Sequence, residues 1–444
     1  MDDSALFADP CALHALRVAR TRGTAATAVS DFVVRSLPPG RNFLVAAGLE
    51  QVVDTLTALR FTEPDLDWLE HGAGMPVDFV RSLAAWQFTG DVDALPEGTV
   101  FFAGEPVLRI SAPIGQAALV ESRIVNTLQY AILVASKAVR CVQAAGGRRL
   151  VDLSLRRAHG VDAALLAARA SFLAGYDATA TMLAGQRFGI PVEGTLAHAY
   201  VQAHDSEDEA FAAYARSCAG GCTLPLDTHD VPRALERIVR LAGRLRDGSG
   251  VRIDAVSIDS GDLAAQARLA RGVLDAGGCR DVRIVVSGDL DEYRIAALVA
   301  ADAPVDTFGV GTRVATSADA PYLDCAIKLA EYDGRGRRKR TPGKESWPGS
   351  KQVYRCRDDD GLIVHDTLGL EAEAVPGTPL LEPVLRGGAR VRPAWSLAHL
   401  RQALRTQVAS LPPALRGLDA APPLPVLVSP GLRELAAQVD RQPR

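Results

Sequence analysis

The run Ser257-Ile258-Asp259-Ser260-Gly261-Asp262-Leu263 sets two carboxylates and two hydroxyls around one glycine. Upstream, residues 251–258 carry β-branched side chains in loose alternation and read as a buried strand. Gly261 permits a sharp turn, and Asp262 stands where a helix N-cap belongs. A carboxylate and a hydroxyl therefore lie at the C-terminal end of a strand, where α/β folds place their chemistry.

The pattern repeats. A strand over 282–286 ends in Ser287-Gly288-Asp289-Leu290 before a helix over 291–301, and a third over 305–310 ends in Gly309-Val310-Gly311-Thr312. Glycine turns with free backbone N–H groups beside helix starts bind phosphate well. One such turn reads as an ordinary strand–helix connection. Three in succession point instead to a β/α run with a single active face.

The bulk composition bounds the rest. The chain has 444 residues, 48% hydrophobic and 23% charged, enough for two domains with cores of their own. A formal charge of −4 offers no basic excess for nucleic acid or an anionic membrane, so phosphate binding must be local. There is no uncharged apolar run of about 18 residues, and the first residues are acidic where a signal peptide is basic. No membrane span is predicted, and a cytoplasmic protein is expected. Seven scattered cysteines fit reduced thiols. The pair Cys218 and Cys222 lacks a second pair or histidines at zinc spacing, so no metal site is predicted.

The elements that must position these residues follow in three blocks. Residues 1–115 read as an N-terminal α/β domain: a helix over 5–20 able to join the barrel, a strand over 31–34, a helix over 43–59 and a mostly antiparallel sheet over 86–110. Residues 116–330 read as an irregular β/α barrel carrying the active site. It opens on a long helix over 116–145, followed by a strand over 150–155, Arg156-Arg157-Ala158-His159-Gly160 and a helix over 161–174. Residues 331–444 read as a basic loop and a C-terminal extension packing on the N-terminal domain. A basic run alone is a solvated loop. Lys344 and Lys351, with glycines beside them and a phosphate-type barrel before them, favour pyrophosphate contact.

Nine short runs then carry a resemblance over nearly the whole chain. They are Phe88-Thr89-Gly90-Asp91-Val92, Pro96-Glu97-Gly98-Thr99-Val100, Arg156 to Gly160, Leu183-Ala184-Gly185, Gly194-Thr195-Leu196-Ala197-His198, Asp259 to Leu263, Ser287 to Tyr293, Phe308 to Arg313 and Pro348 to Tyr354. In order and spacing the chain resembles nicotinate phosphoribosyltransferases. The resemblance implies the type II phosphoribosyltransferase fold, an α/β domain beside an irregular barrel, in a homodimer with its active site at the subunit interface. It implies transfer from phosphoribosyl pyrophosphate to nicotinate, release of pyrophosphate, and coupling to ATP hydrolysis, with Mg²⁺, through a phosphohistidine. His198 then matches the phosphorylated histidine, since a neutral ring nitrogen is nucleophilic near neutral pH. Without the resemblance, a lone histidine after a strand is better read as structural. Asp259 matches the carboxylate that holds the ribose hydroxyls and steadies developing positive charge. Ser287, Gly288, Asp289, Gly311 and Thr312 match the 5′-phosphate cradle. Arg35, Lys344 and Lys351 match cations for pyrophosphate or ATP phosphates, and Arg156 an arginine beside the base and phosphate.

The base end departs from the family pattern. The usual Thr-Asp-Leu-Tyr is here Ala8-Asp9-Pro10-Cys11, so Cys11 stands where a stacking tyrosine does. The usual Glu-Phe-Gly is Asp152-Leu153-Ser154, and Ser257 replaces an arginine. A Thr-Ser-Asn run is Thr179-Ala180-Thr181. Each lost ring removes on the order of 1 kcal/mol of stacking, and the lost cation roughly 1.5–3 kcal/mol of charge-assisted hydrogen bonding. Three readings follow: transfer to nicotinate, the same chemistry on a related or non-nicotinate acceptor, and a non-catalytic phosphoribosyl-binding paralogue. A quinolinate-type decarboxylating transferase shares the fold but needs no ATP, and the run from Gly194 to His198 argues against it.

Overall fold

The computed structural model describes residues 4–218, 221–245 and 252–442. The chain divides into two compact units, residues 1–136 with 320–444, and residues 137–319.

The first unit is built on a seven-stranded sheet ordered Arg335–Gly336, Cys325–Tyr332, Thr27–Val34, Pro106–Pro113, Asp91–Ala94, Glu382–Arg386, Ala389–Arg390. Every pairing in it is antiparallel. Strands from beyond residue 320 thus share one sheet with strands from the first 113 residues. The basic tip is a hairpin turned by Asp333 and Gly334, both at positive φ (53° and 68°). A four-stranded sheet, Thr378–Pro379, Lys351–Arg357, Ile363–Leu370 and Val426–Val428, completes the unit with a two-stranded ribbon. Phe32, Leu44, Phe101, Leu108 and Ile110 are fully buried among its core residues. Each such side chain contributes about 1.5–3 kcal/mol of burial.

The helix expected over 43–59 is shorter, Leu49–Ala58, and Leu44–Val45 is a strand paired with Val100–Phe101. Gly48, at φ +91°, separates the two elements, and a helix cannot run through that conformation. The helix expected over 5–20 is Pro10–Thr21, begun by proline at its first position. The long helix is Ile114–Ala144, within two residues of its expected span at either end.

The second unit holds the predicted barrel as an open half-barrel of six parallel strands. They are β1 (Arg149–Asp152), β2 (Ala178–Thr179), β3 (Cys222–Pro225), β4 (Ile253–Ile258), β5 (Arg283–Val286) and β6 (Thr307–Val310), ordered β2-β1-β6-β5-β4-β3. Val251 lies outside the described residues, and the strand expected from it begins at Ile253. The helices that matter to the site are α1 (His198–Gln202), α2 (Leu263–Ala276), α3 (Glu292–Ala300) and α4 (Thr312–Ala315). Asp262 caps α2 as expected, accepting from Ala265 N–H at 3.0 Å. Glu292, fully buried at the start of α3, is held by Lys137 at 2.5 Å and Arg140 at 2.8 Å.

A buried charge cluster in the first unit has a readable pH signature. Arg355 donates to both oxygens of Asp366 at 2.9 and 2.6 Å, and Glu105 accepts from Phe102 N–H at 3.0 Å. Burial, then the charge of Asp366 beside it, pushes the Glu105 carboxyl well above its ordinary range. A group whose pKa rises on folding stabilises the fold at low pH, and that contribution fades as pH climbs through the folded-state value. Glu105→Gln, neutral at every pH, is therefore expected to flatten the fall in stability above the ordinary carboxylate range. Thermal midpoints of both proteins between pH 4 and pH 8 check this, and parallel curves would refute it.

Candidate active site

The parallel ladder runs one residue past the strands on this unit's C-terminal rim. Leu226 N–H donates to Ser257 O, Ser287 N–H to Ile258 O and Leu153 N–H to Val310 O, each at 2.9 Å. These bonds fix where the loops leave the sheet, and so bring Asp227, Asp259 and the turn at Ser287 onto one edge. Asp227 Oδ2 accepts from Asp259 N–H at 2.7 Å and from the Ser260 hydroxyl at 2.9 Å.

His198 opens α1 and faces this edge. Its Nδ1 lies 3.0 Å from Thr228 Oγ1, and its Nε2 lies 3.3 Å from Asp259 Oδ2 and 4.0 Å from Asp227 Oδ1. The ring is thus gripped at one nitrogen and presents the other to two carboxylates. Those carboxylates are not equivalent. Burial, the hydrogen bond to Asp227 and that residue's charge raise the Asp259 carboxyl, outweighing the pull of His198. Burial also works against ionised Asp227, but the donors from Asp259 and Ser260 overcome it and hold Asp227 below the usual range.

The phosphate-type turns are tightly seated. A Cβ on Gly288 would stand 2.1 Å from Asp259 O, and its φ of +91° already excludes most side chains. A Cβ on Gly311 would stand 2.7 Å from Leu153 O. Asp289 takes a left-handed conformation, φ +54°, and its carboxylate receives Arg313 Nε and Nη2 at 2.8 Å each. Those hydrogen bonds hold its carboxyl below the ordinary range. A cleft of about 630 Å³ runs from Asp259 and Gly261 to Gly288, Asp289 and Arg294.

The expected base-side residues are also at this end of the unit. Leu153 is half-buried, with Cδ1 only 2.5 Å from where a Cβ on Gly309 would stand. Ser257 is buried at the end of β4, and Thr181 is buried with no partner shown for its hydroxyl. Arg156 is exposed. Thr312 begins α4 directly after Gly311.

Four predicted residues belong to the first unit. Arg35 pairs with Asp324. Lys351 is buried and makes three short contacts, with Asp31 Oδ2 at 2.7 Å and the carbonyls of Trp347 and Gly349 at 2.8 Å, so its ammonium is occupied inside the protein. Arg35, Lys328 and Trp347 line a pocket of about 250 Å³. Burial, then the charges of Lys339 and Arg35, lower the Lys328 ammonium. Lys344 and Cys11 are exposed, Cys11 on the helix Pro10–Thr21.

The chain is 47% identical over 405 residues to nicotinate phosphoribosyltransferase pncB2 of Mycobacterium tuberculosis, covering 91% of this chain and 87% of that protein. The chain belongs to the nicotinate phosphoribosyltransferase family. The model of the nicotinate phosphoribosyltransferase N-terminal domain matches residues 6–129. The nicotinate phosphoribosyltransferase of Bacillus subtilis is 37% identical over 335 residues, covering 74% of this chain and 68% of that one. The crystal structure of human nicotinic acid phosphoribosyltransferase superposes with a TM-score of 0.87 at 29% identity, over 96% of this chain and 98% of that chain. The chain is thus one of a family of enzymes, with the type II phosphoribosyltransferase fold.

Asp227, Thr228, Arg294 and Arg313 enter the site through the fold and carry no motif of their own in the sequence. Asp227 had the same signature as Asp259, an acid just after a buried strand, and Arg313 closes the run Phe308 to Arg313 that carries the resemblance. Gly288→Ala combines a clash with backbone strain, for which the strain alone costs about 1–3 kcal/mol. A lowered thermal midpoint together with lost donor binding is expected. An unchanged midpoint in a melting assay would contradict the seating of this turn against Asp259.

Proposed function

We propose that the chain transfers the 5-phosphoribosyl group of phosphoribosyl pyrophosphate to the ring nitrogen of nicotinate or a related acceptor, with ATP hydrolysis coupled through phosphorylated His198. The C1′–O bond to pyrophosphate breaks, pyrophosphate leaves with the electron pair, and the C1′–N bond forms from the acceptor's lone pair. The observation that carries the reading is His198, held by Thr228 at Nδ1 and turned by Nε2 toward Asp259 beside the Gly288 turn.

In this reading Asp259 binds the ribose hydroxyls and opposes charge building at C1′. The turns at Gly288 and Gly311 take the 5′-phosphate. Nε2 of His198 accepts the γ-phosphoryl group as ADP departs, and water then cleaves the N–P bond, releasing orthophosphate and the free imidazole. Donor atoms of His198, Asp227 and Asp259 lie within 4.8 Å of one another. The two carboxylates are the hard oxygen ligands that Mg²⁺ takes alongside substrate phosphates, so these residues fit the ion, which when bound would offset charge on pyrophosphate. Within the first unit, the pocket with Arg35 and Lys328 is a cationic lining suited to phosphate groups in its own right, with Lys344 nearby in the chain. The family resemblance adds a homodimer in the cytoplasm. Among the described residues no helix is long and apolar enough to cross a membrane.

Mass spectrometry of nucleotide, ADP and phosphoprotein tests this. With phosphoribosyl pyrophosphate, nicotinate, ATP and Mg²⁺, nucleotide and ADP should appear, and His198→Asn should lose the phosphoprotein and the stimulation by ATP. Nucleotide formation that ignores both ATP and His198→Asn would refute the coupling.

Leu153 and Ser257 favour a second reading, an acceptor other than nicotinate. Ser257 offers no charge to a carboxylate, and Leu153 offers no ring to stack on. Leu153→Phe with Ser257→Arg should then raise nicotinate turnover at least about tenfold. Unimproved turnover would remove the case for an altered pocket.

A further inference from the structure

A carboxylate is an odd lining for a phosphate cradle, because like charges repel. Asp289 nevertheless stands in the turn that would receive the 5′-phosphate, about half exposed (48%). Its environment resolves the conflict. Arg313 donates Nε and Nη2 to its two oxygens, one each. Arg294 reaches the same carboxylate at 3.6 Å and the Asp289 carbonyl at 3.1 Å.

Two cations thus flank one anion, and of the three Asp289 and Arg294 line the cleft while Arg313 stands behind Asp289. Bidentate pairing fixes the plane of the Arg313 guanidinium. It leaves Nη1 of Arg313 with no hydrogen bond shown among the described residues. The Arg313 side chain is 43% exposed, open to an arriving ligand. The left-handed backbone at Gly288 and Asp289 forms the turn that carries the carboxylate.

We propose that Arg313 is a phosphate-binding and donor-selecting residue, with Asp289 its positioning residue and Arg294 a supporting cation. The ligand class is a phosphate monoester on a pentose, and the inference rests on the phosphoribosyl reading above. Asp289 does not bind phosphate through its side chain. It holds the Arg313 fork in one orientation, so that the ligand meets a pre-set donor with its rotamer already chosen.

The test is a calorimetric titration of the full chain with ribose 5-phosphate and with ribose, for the wild type, Arg313→Gln and Arg313→Lys, beside steady-state kinetics. Arg313→Gln should weaken ribose 5-phosphate by about 10- to 100-fold, the range of a charge-assisted hydrogen bond, and leave ribose unaffected. Arg313→Lys should recover only part, having charge without the fork. Asp289→Asn should raise KM for phosphoribosyl pyrophosphate and spare kcat, and Asp289→Glu should recover part of the loss. Arg240→Gln, an exposed arginine on the helix Val231–Leu245, serves as the charge control and should change neither. Equal affinity of wild type and Arg313→Gln for ribose 5-phosphate would overturn the proposal and leave the phosphoribosyl reading standing. A kcat and thermal midpoint that fall together in Arg313→Gln, with KM unchanged, would also overturn it, since that marks a structural residue. A wild type that binds neither ribose 5-phosphate nor phosphoribosyl pyrophosphate would defeat the phosphoribosyl reading itself.

Discussion

The hydrogen bonds that carry the parallel ladder past the ends of its strands are what the candidate site depends on. Leu226, Ser287 and Leu153 each donate to the neighbouring strand after their own strand has ended. A loop that leaves a sheet freely can place its side chains anywhere. A loop whose first residue is still tied to the next strand cannot. Asp227, Asp259 and Gly288 are close because their chains diverge one residue later than the strands do.

From that edge the electrostatics follow. Asp227 receives two donors and stays ionised at lower pH than an ordinary carboxyl, while Asp259, facing it, is pushed up. Two neighbouring acids with opposed shifts are the usual mark of a site built for distinct roles. His198 stands against both, its Nε2 3.3 Å from Asp259 and 4.0 Å from Asp227. The buried ion pairs of Glu292 with Lys137 and Arg140 act one layer further back. They fasten the start of α3, which begins two residues after the phosphate-type turn. Removing one partner from such a buried pair costs far more than the pair contributes, so the start of the helix is strongly specified.

The first unit is also consistent across levels. The strand Thr27–Val34 sits between Cys325–Tyr332 and Pro106–Pro113, so its central position depends on chain almost 300 residues away. The ion pair of Lys351 with Asp31 joins the same distant regions. A lysine in a Gly-Ser-Lys run invites a phosphate reading, and the structure shows why that reading needs tertiary facts. Three donors of an ammonium can all be satisfied inside a protein, and only the fold says whether they are.

The sequence alone determined the strand-and-turn units of β4, β5 and β6 and the residue types at their ends. Alternation and turn residues placed β4, β5 and β6 within two residues, because burial of one strand face imposes its own period. Asp262 was legible as a cap because a side-chain acceptor three residues before a free N–H is a local matter. Short runs of fixed order carried the family, and with it the expectation placed on His198, Asp259 and the glycine turns. The tertiary structure alone decided which of these groups meet. Nothing local links Asp227 to Asp259, 32 residues apart, or Arg313 to Asp289, 24 apart. Those contacts exist because parallel strands stand side by side in an order, β2-β1-β6-β5-β4-β3, that periodicity does not encode. Local periodicity reports which face of each element is buried. It carries no information on which element lies next to which, and that adjacency is what sets charges, donors and clefts against one another.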